Sequence, residues 1–366
     1  MVVAQGSEYL FQFFRERLHD FAKHELEPEP ASPIVGADVW LLASLLQKAI
    51  RRGDVAMARR AAHHLLKVDP QRLWRRLMTV ALEDIGIAST EIAAELVAIA
   101  ALPVARRLVG SNEVAIDIAV QRTCAAVKDR SGDHFGSLEQ QVLAQWRNCL
   151  KPTSVDAYLA ALFASNTAWQ RRLCAAVLLS DPSRERASQR LEAFGRTTDS
   201  FVRCGAPLHL IAACEVYTAR ARDRLPVFVL LAWCLWHTDG ASRAMAPHTL
   251  PEPDWLDQLP GYAFDPIRTR LGRRAVDLWL RSYLQKPPFD SRQIAIALWN
   301  TESAACARTL SWSLGSVIEQ QARGADLLNR GLRADRHDEI AAWIATERAA
   351  LASARHAVWE SVVRDK

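Results

Sequence analysis

Residues 38 to 90, DVWLLASLLQKAIRRGDVAMARRAAHHLLKVDPQRLWRRLMTVALEDIGIAST, read as three helices punctuated by two turns. In the first, Val39, Leu42, Leu45, Leu46, Ala49 and Ile50 recur at spacings of three and four, which gathers them on one face of a helix. Asp38 is a natural N-cap, and Gly53 ends the helix. Asp54 caps a second helix, whose inward face runs through Val55, Ala58, Ala62, Leu65 and Leu66. Pro70 opens a third, because the first turn of a helix loses nothing from a missing N–H; Leu73, Trp74, Leu77, Val80 and Ala81 face inward. Connections this short make neighbouring helices antiparallel.

The same period continues through EIAAELVAIAALPVARRLV, where Pro103 is expected to kink or end a helix, and through NEVAIDIAVQRTCAAVKDR, SLEQQVLAQWRNCL, SVDAYLAALFAS and TAWQRRLCAAVLLS. No bounded run of alternating polar and apolar residues argues for a sheet. The expectation is an all-helical fold, an antiparallel array. Two stretches break the rhythm: the proline-bearing EPEPASPIVG at 27–36, and 239–264, too rich in Pro and Gly for a continuous helix. They suggest an N-terminal helix and linker (1–36), a helical domain (37–150), a helical extension (151–238) and a loop-rich connection with a C-terminal helical portion (239–366).

Half of the 366 residues are hydrophobic, which excludes a disordered chain. The seven cysteines are scattered without a CxxC pair, the usage of reduced core thiols in a cytoplasmic protein. The N-terminus lacks the basic start, apolar run and cleavage site of a signal peptide. The run LPVFVLLAWCLWHT, residues 225–238, falls short of the roughly 20 residues a bilayer requires and reads as a buried core helix, so no membrane partner is expected. Net charge is +5, and only seven of the 46 cations are lysine. Arginine suits bidentate contacts to phosphate and carboxylate, although genome composition produces the same bias.

Within LEDIG, Glu83 and Asp84 sit where the third helix ends at Gly86, a place disfavoured for acids by the negative end of the helix dipole. Cations of an adjoining helix would offset that cost. Arg75 and Arg76 on the third helix, with Arg59 and Arg60 on the second, are the candidates, so Arg59, Arg60, Arg75, Arg76, Glu83 and Asp84 form an expected interhelix tie. A catalytic carboxylate pair is the sharper reading, but adjacent helical positions diverge by about 100 degrees and do not converge on one substrate.

The same stretch resembles the helical region that follows the ATPase core in RarA/MgsA-type AAA+ proteins. The likeness is carried by Lys48, Ala49, Ile50, Arg51, Arg52, Gly53 and Asp54, then Asp69 and Pro70, Arg75, Arg76 and Leu77, and finally Glu83, Asp84, Ile85 and Gly86. It is clear over residues 38–90 and faint to about 150, where VAIDIAVQRTCAAVKDRSGDHFGSL is similar to the family's later helix and following loop. The resemblance implies a clamp-loader-collar-like helical bundle, oligomerisation, and a role in replication-fork maintenance or recombination. Ala49 and Arg52 depart from the small polar residues of the family string. The chain has no GxxxxGK[ST] and no Gly-Lys pair, so it lacks the phosphate cradle of a P-loop ATPase.

Other chemistry is thinly signalled. His19-Asp20 and His337-Asp338 are the kind of pair a metal phosphohydrolase uses, without correspondingly spaced ligands upstream. His63-His64 diverge on a helix, and Cys204-Gly205 with His209 lacks a third group for a thiol nucleophile. A stronger cluster is DPIRTRLGRRAVDLWLRSYLQK, where Asp265-Pro266 is placed to start a helix and Arg268, Arg270, Arg273, Arg274 and Arg281 recur near helical spacing. Guanidinium groups there would hold phosphates, and Trp279 or Tyr283 would stack on a base; alternatively the arginines are a solvated face over inward Leu271, Val276, Leu278 and Trp279.

The expected function is that of a non-catalytic accessory or assembly protein of DNA replication or repair, without catalytic, cofactor or metal residues. It would oligomerise or bind an AAA+ ATPase partner, and touch single-stranded or forked DNA through its arginines. A helical scaffold or regulator without a nucleic-acid role is the alternative, and a metal- or thiol-dependent hydrolase a third.

Overall fold

The computed structural model describes residues 3–18, 33–146, 148, 155–164, 167–180, 187–221, 223–238, 244–248, 250, 252–283 and 287–364. In chain order the elements are α1 (Val3–Glu16), α2 (Val39–Arg52), α3 (Val55–Val68), α4 (Pro70–Val80), a π turn (Ala81–Ile85), a 3-10 turn (Gly86–Ser89), α5 (Thr90–Ala101), α6 (Pro103–Leu108), α7 (Asn112–Ala125) and α8 (Ser131–Trp146). There follow α9 (Val155–Phe163), α10 (Trp169–Leu179), α11 (Ala187–Arg203), α12 (Leu208–Thr218), α13 (Leu225–Thr238), β1 (Ala244–Pro247), β2 (Trp255–Leu256) and β3 (Leu259–Pro260). The chain then forms α14 (Arg270–Arg281), α15 (Ser291–Leu298), a second π turn (Trp299–Ser303), β4 (Arg308–Ser311), α16 (Ser313–Asn329), α17 (Ala334–Thr346) and α18 (Arg348–Arg364). The fold is an all-helical array, and its strands are no longer than four residues.

The three helices at 38–90 begin where side-chain chemistry demands. Asp38 accepts from the N–H groups of Trp40 (3.0 Å) and Leu41 (2.7 Å), Asp54 from Met57 (3.0 Å) and Asp69 from Arg72 (2.9 Å), each taking up a donor that a first turn leaves unpaired. Gly53 adopts φ +73°, the left-handed conformation that closes α2. Pro103 lies at the first position of α6, directly after α5 has ended.

The chain divides into two compact units, Met1–Leu26 with Leu77–Ala246 and Arg308–Asp326, and Glu27–Arg76 with Pro247–Ala307 and Leu327–Lys366. In the first, α12 packs on α1, α5 and α13, burying Leu10, Phe14, Leu96, Leu210 and Ile211. Helix α13 is buried from Pro226 to Leu235, the core helix its apolar run implies. No helix among the described residues is long and apolar enough to cross a membrane. In the second unit the core joins Val276 and Trp279 of α14, Ile294 and Ala297 of α15, Ile340 and Ile344 of α17, and Leu351 and Ala354 of α18.

Two local expectations are corrected. The loop that the resemblance implies after the later helix is, from Ser131 on, the start of α8, while α7 stops at Ala125, short of Lys128, Asp129 and Arg130. Gly132 lets the start of α8 lie close against α13, since a Cβ there would stand 2.9 Å from Val229 Cγ2. Second, 239–264 contains short strands, β2 pairing antiparallel with β3 through Trp255 with Pro260 and Leu256 with Leu259. Residues 27–32 of the expected linker, and the pair His19-Asp20, lie outside the described residues.

Candidate functional site

The string Lys48 to Asp54 lies at the end of α2, and its polar side chains turn inward. Lys48, 3% exposed, donates to Asp265 Oδ2 at 2.9 Å and to Ser44 Oγ. Burial pushes the Lys48 ammonium down to about 8 against the opposing pull of Asp265, so the carboxylate offsets only part of the lost hydration. Arg51, 1% exposed, donates to the Ser303 carbonyl at 2.8 Å, and its own carbonyl accepts from Ala307 N at 3.0 Å. The guanidinium of Arg52 reaches the Glu302 carbonyl (3.2 Å) and lies 4.6 Å from the centre of the Tyr262 ring. The Tyr262 hydroxyl donates to Asp54 Oδ2 at 3.0 Å. Buried Arg355 of α18 completes the network, binding Glu302 Oε2 at 2.7 Å and lying 3.6 Å from Asp254 Oδ2. Ala49 is fully buried apolar packing.

Asp265 connects this network to the arginine cluster. While its Oδ2 holds Lys48, its Oδ1 accepts from Ile267 N (2.8 Å) and Arg268 N (3.2 Å), and its carbonyl accepts from Thr269 N and Oγ1, both at 2.8 Å. Asp265 therefore sets the turn that delivers α14. The helix begins at Arg270 with Thr269 as N-cap, its Oγ1 accepting from Gly272 N at 3.0 Å; the expected start, Asp265-Pro266, lies one turn before the observed one. Gly272 is required where α14 crosses this turn, since a Cβ would fall 2.5 Å from the Asp265 carbonyl carbon.

Arg268, Arg270, Arg273, Arg274 and Arg281 are all exposed. Arg274 Nη2 approaches Ser361 Oγ at 3.4 Å, and Arg268 lies 5.1 Å over the Trp299 ring. Among the described residues the side chains of Arg270, Arg273 and Arg281 hold no ion pair or hydrogen bond. Asp277 is exposed on the same helix, one turn from Arg273, Arg274 and Arg281. Trp279 is 1% exposed and stacked on Trp343 at 4.8 Å, so it is core and does not offer a face to a base. Half-buried Tyr283 packs on the same Trp343 at 5.7 Å. Leu278, expected to face inward, is 41% exposed.

Asp84 is fully buried on the π turn, 3.5 Å from Arg130 Nε, and its carbonyl accepts from Asp129 N at 2.9 Å. Arg130 also pairs with Asp133. Glu83 is half-buried on the same turn; burial first and then Asp223 raise the Tyr217 phenol, with Glu83 adding the least. Of the cations named with these acids, Arg60 bonds Gln258, Arg76 bonds Gln47 at 3.0 Å, Arg75 Nε reaches the Gln71 carbonyl at 3.4 Å, and Arg59 is buried. Glu83 and Asp84 belong to the first unit and those four arginines to the second.

His337 is buried with Nδ1 2.9 Å from Asp338 Oδ1, and His63 and His64 are half-buried on α3. Cys204 is exposed in the short turn between α11 and α12; the other described cysteines are buried. His209 lies on Phe13 and 2.9 Å from Thr90 Oγ1.

No family model, curated protein or solved structure matches the chain. The pairings Lys48–Asp265, Arg51–Ser303 and Arg355–Glu302 had no signal in the sequence, since their members are separated by up to 252 residues and polar partners carry no periodicity. The arginine spacing and the apolar period beneath it pointed to α14.

Proposed function

We propose that the chain is a non-catalytic accessory protein of DNA replication or repair, binding the phosphates of single-stranded or forked DNA through α14. It assembles with itself or with an AAA+ ATPase in trans, as the resemblance of residues 38–90 to the collar region of RarA/MgsA-type proteins implies. The observation that carries the reading is the set of exposed arginines on one helix whose start is held by a buried ion pair, three of them without a side-chain partner among the described residues. Guanidinium groups so placed neutralise phosphates and release counterions.

The test is binding of single-stranded and forked oligonucleotides over a range of salt. The double charge reversal Arg273→Glu/Arg274→Glu is expected to abolish binding, because both side chains are exposed and the change leaves the core intact. Exposed Leu278 amid this face favours a second reading, a scaffold that docks a protein there. A stable protein complex from a chain that binds no DNA even at low salt would establish that second reading in place of the first.

A further inference from the structure

We propose that Trp40 is a stacking platform for an unpaired base of the strand whose phosphates α14 holds, so that the ligand is single-stranded rather than duplex nucleic acid; this rests on the function proposed above. Trp40 stands in the first turn of α2 and is 53% exposed, an unusual position for the largest apolar side chain. Its backbone is anchored by the Asp38 cap, and one ring face is covered by Arg72, whose guanidinium carbon lies 4.1 Å from the ring centre. Asp69 holds Arg72 in that place through Arg72 N and Nε, both at 2.9 Å. Those bonds keep the Asp69 carboxyl below its usual range. With Arg72 on one side, the exposed area belongs to the other face and the ring edge. A cation-backed indole with a free face suits a nucleobase: every base presents a π surface, and stacking tolerates any sequence.

The surroundings favour a polyanion carrying such bases. Lys67 and Arg75 are exposed nearby on α3 and α4, and among the described residues Asp38 is engaged on the helix cap and Asp69 on Arg72. The platform and the arginine helix also flank a common element, the C-terminal end of α18. On one side Arg274 reaches Ser361; on the other, the Gly36 Cα faces Val362, Trp359 and Val363, a Cβ there falling 3.3 to 3.5 Å from their side chains. Gly36 lies four residues before Trp40, so the chain from Ser361 to the indole is short. On this proposal a strand leaving the α14 arginines passes the end of α18, where Glu360 is paired with His356 and Arg364, on its way to Trp40. In a duplex the base faces are already stacked on each other, and an indole fixed on a protein surface has none to engage.

The experiment compares a labelled oligothymidylate, an abasic strand of equal length and a blunt duplex as ligands for the full chain at low salt. Trp40→Ala is expected to weaken oligothymidylate binding about 5- to 100-fold, as base–aromatic stacking predicts, while Trp40→Phe retains most of it. Abasic-strand and duplex affinities should be the same for the wild type and Trp40→Ala. Far-UV circular dichroism and melting of each variant check that the exposed position tolerates the change. If Trp40→Ala binds oligothymidylate like the wild type while Arg273→Glu/Arg274→Glu abolishes binding, the platform is refuted and the function reading stands. Equal weakening for all three ligands would mark Trp40 as structural and refute the platform, as would disruption of a protein complex with DNA binding intact. A wild-type chain that binds none of the ligands would overturn both proposals.

Discussion

Gly86 combines φ +50° with close approach: a Cβ there would stand 2.6 Å from the Asp129 carbonyl oxygen. A stop at this glycine was legible in the sequence, because LEDIG ends an apolar helical period. The conversion of the last turn into a π turn was not, since it depends on what Asp84 meets once buried, and Arg130 lies 46 residues further on. The neighbouring Asp129 is the more testable of the residues at this turn. Its carboxylate accepts from Ser131 N (3.1 Å) and Ser131 Oγ (3.0 Å), and from the Trp312 side chain. Burial nevertheless pushes it up to about 6, with Glu319 adding to the rise and those hydrogen bonds opposing it. Between the ordinary aspartate value and about 6 the folded chain keeps a proton that the unfolded chain has released. Raising the pH through that window therefore withdraws stability, by about 3 kcal/mol at most for a group this buried. Asp129→Asn removes the titration, so its melting temperature relative to the wild type should climb between pH 4 and pH 7. A constant difference across that range would refute the assignment.

At the scale of the element, α14 shows how a helix is aimed. Its arginine spacing and its Leu271, Val276 and Trp279 core face follow from a 3.6-residue period and were readable directly. The start was misplaced because Asp265, a good N-cap by type, is used instead to hold Lys48, leaving Thr269 to cap. Sequence windows do not contain a partner 217 residues away. The same blindness applied to Leu278, which falls at the edge of the apolar face and is left 41% exposed, while Trp279 in the middle of that face stacks on Trp343. The Lys48–Asp265 pair makes a quantitative claim. Both groups are dehydrated, so Lys48→Met leaves a buried carboxylate without its counter-charge and should destabilise the chain by about 3–5 kcal/mol in denaturant unfolding. It should also loosen the turn at 265–269, seen as faster amide exchange at Ile267 and Arg268. A destabilisation under about 1 kcal/mol, the range of an exposed pair, would show that the pair is hydrated in solution.

On the whole molecule, a net charge of +5 spread over 366 residues gives only a weak long-range field, so attraction of a polyanion has to come from where cations are concentrated. The helical class was legible because one period runs through most of the chain. The grouping of distant segments into two units was not, since every amphipathic helix offers a similar apolar face and the sequence does not state which faces meet. That distinction between total and local charge yields a discriminating measurement. Arg107 is exposed on α6, in the unit that does not contain α14. Arg107→Glu changes the net charge by the same amount as Arg273→Glu. If α14 is the phosphate-binding surface, Arg107→Glu should leave the affinity for single-stranded DNA within about twofold and preserve the salt slope. Arg273→Glu should flatten that slope by about 0.7 for each phosphate it ceases to neutralise. Equal effects from the two reversals would mean that binding follows overall charge, and would remove α14 as the interface.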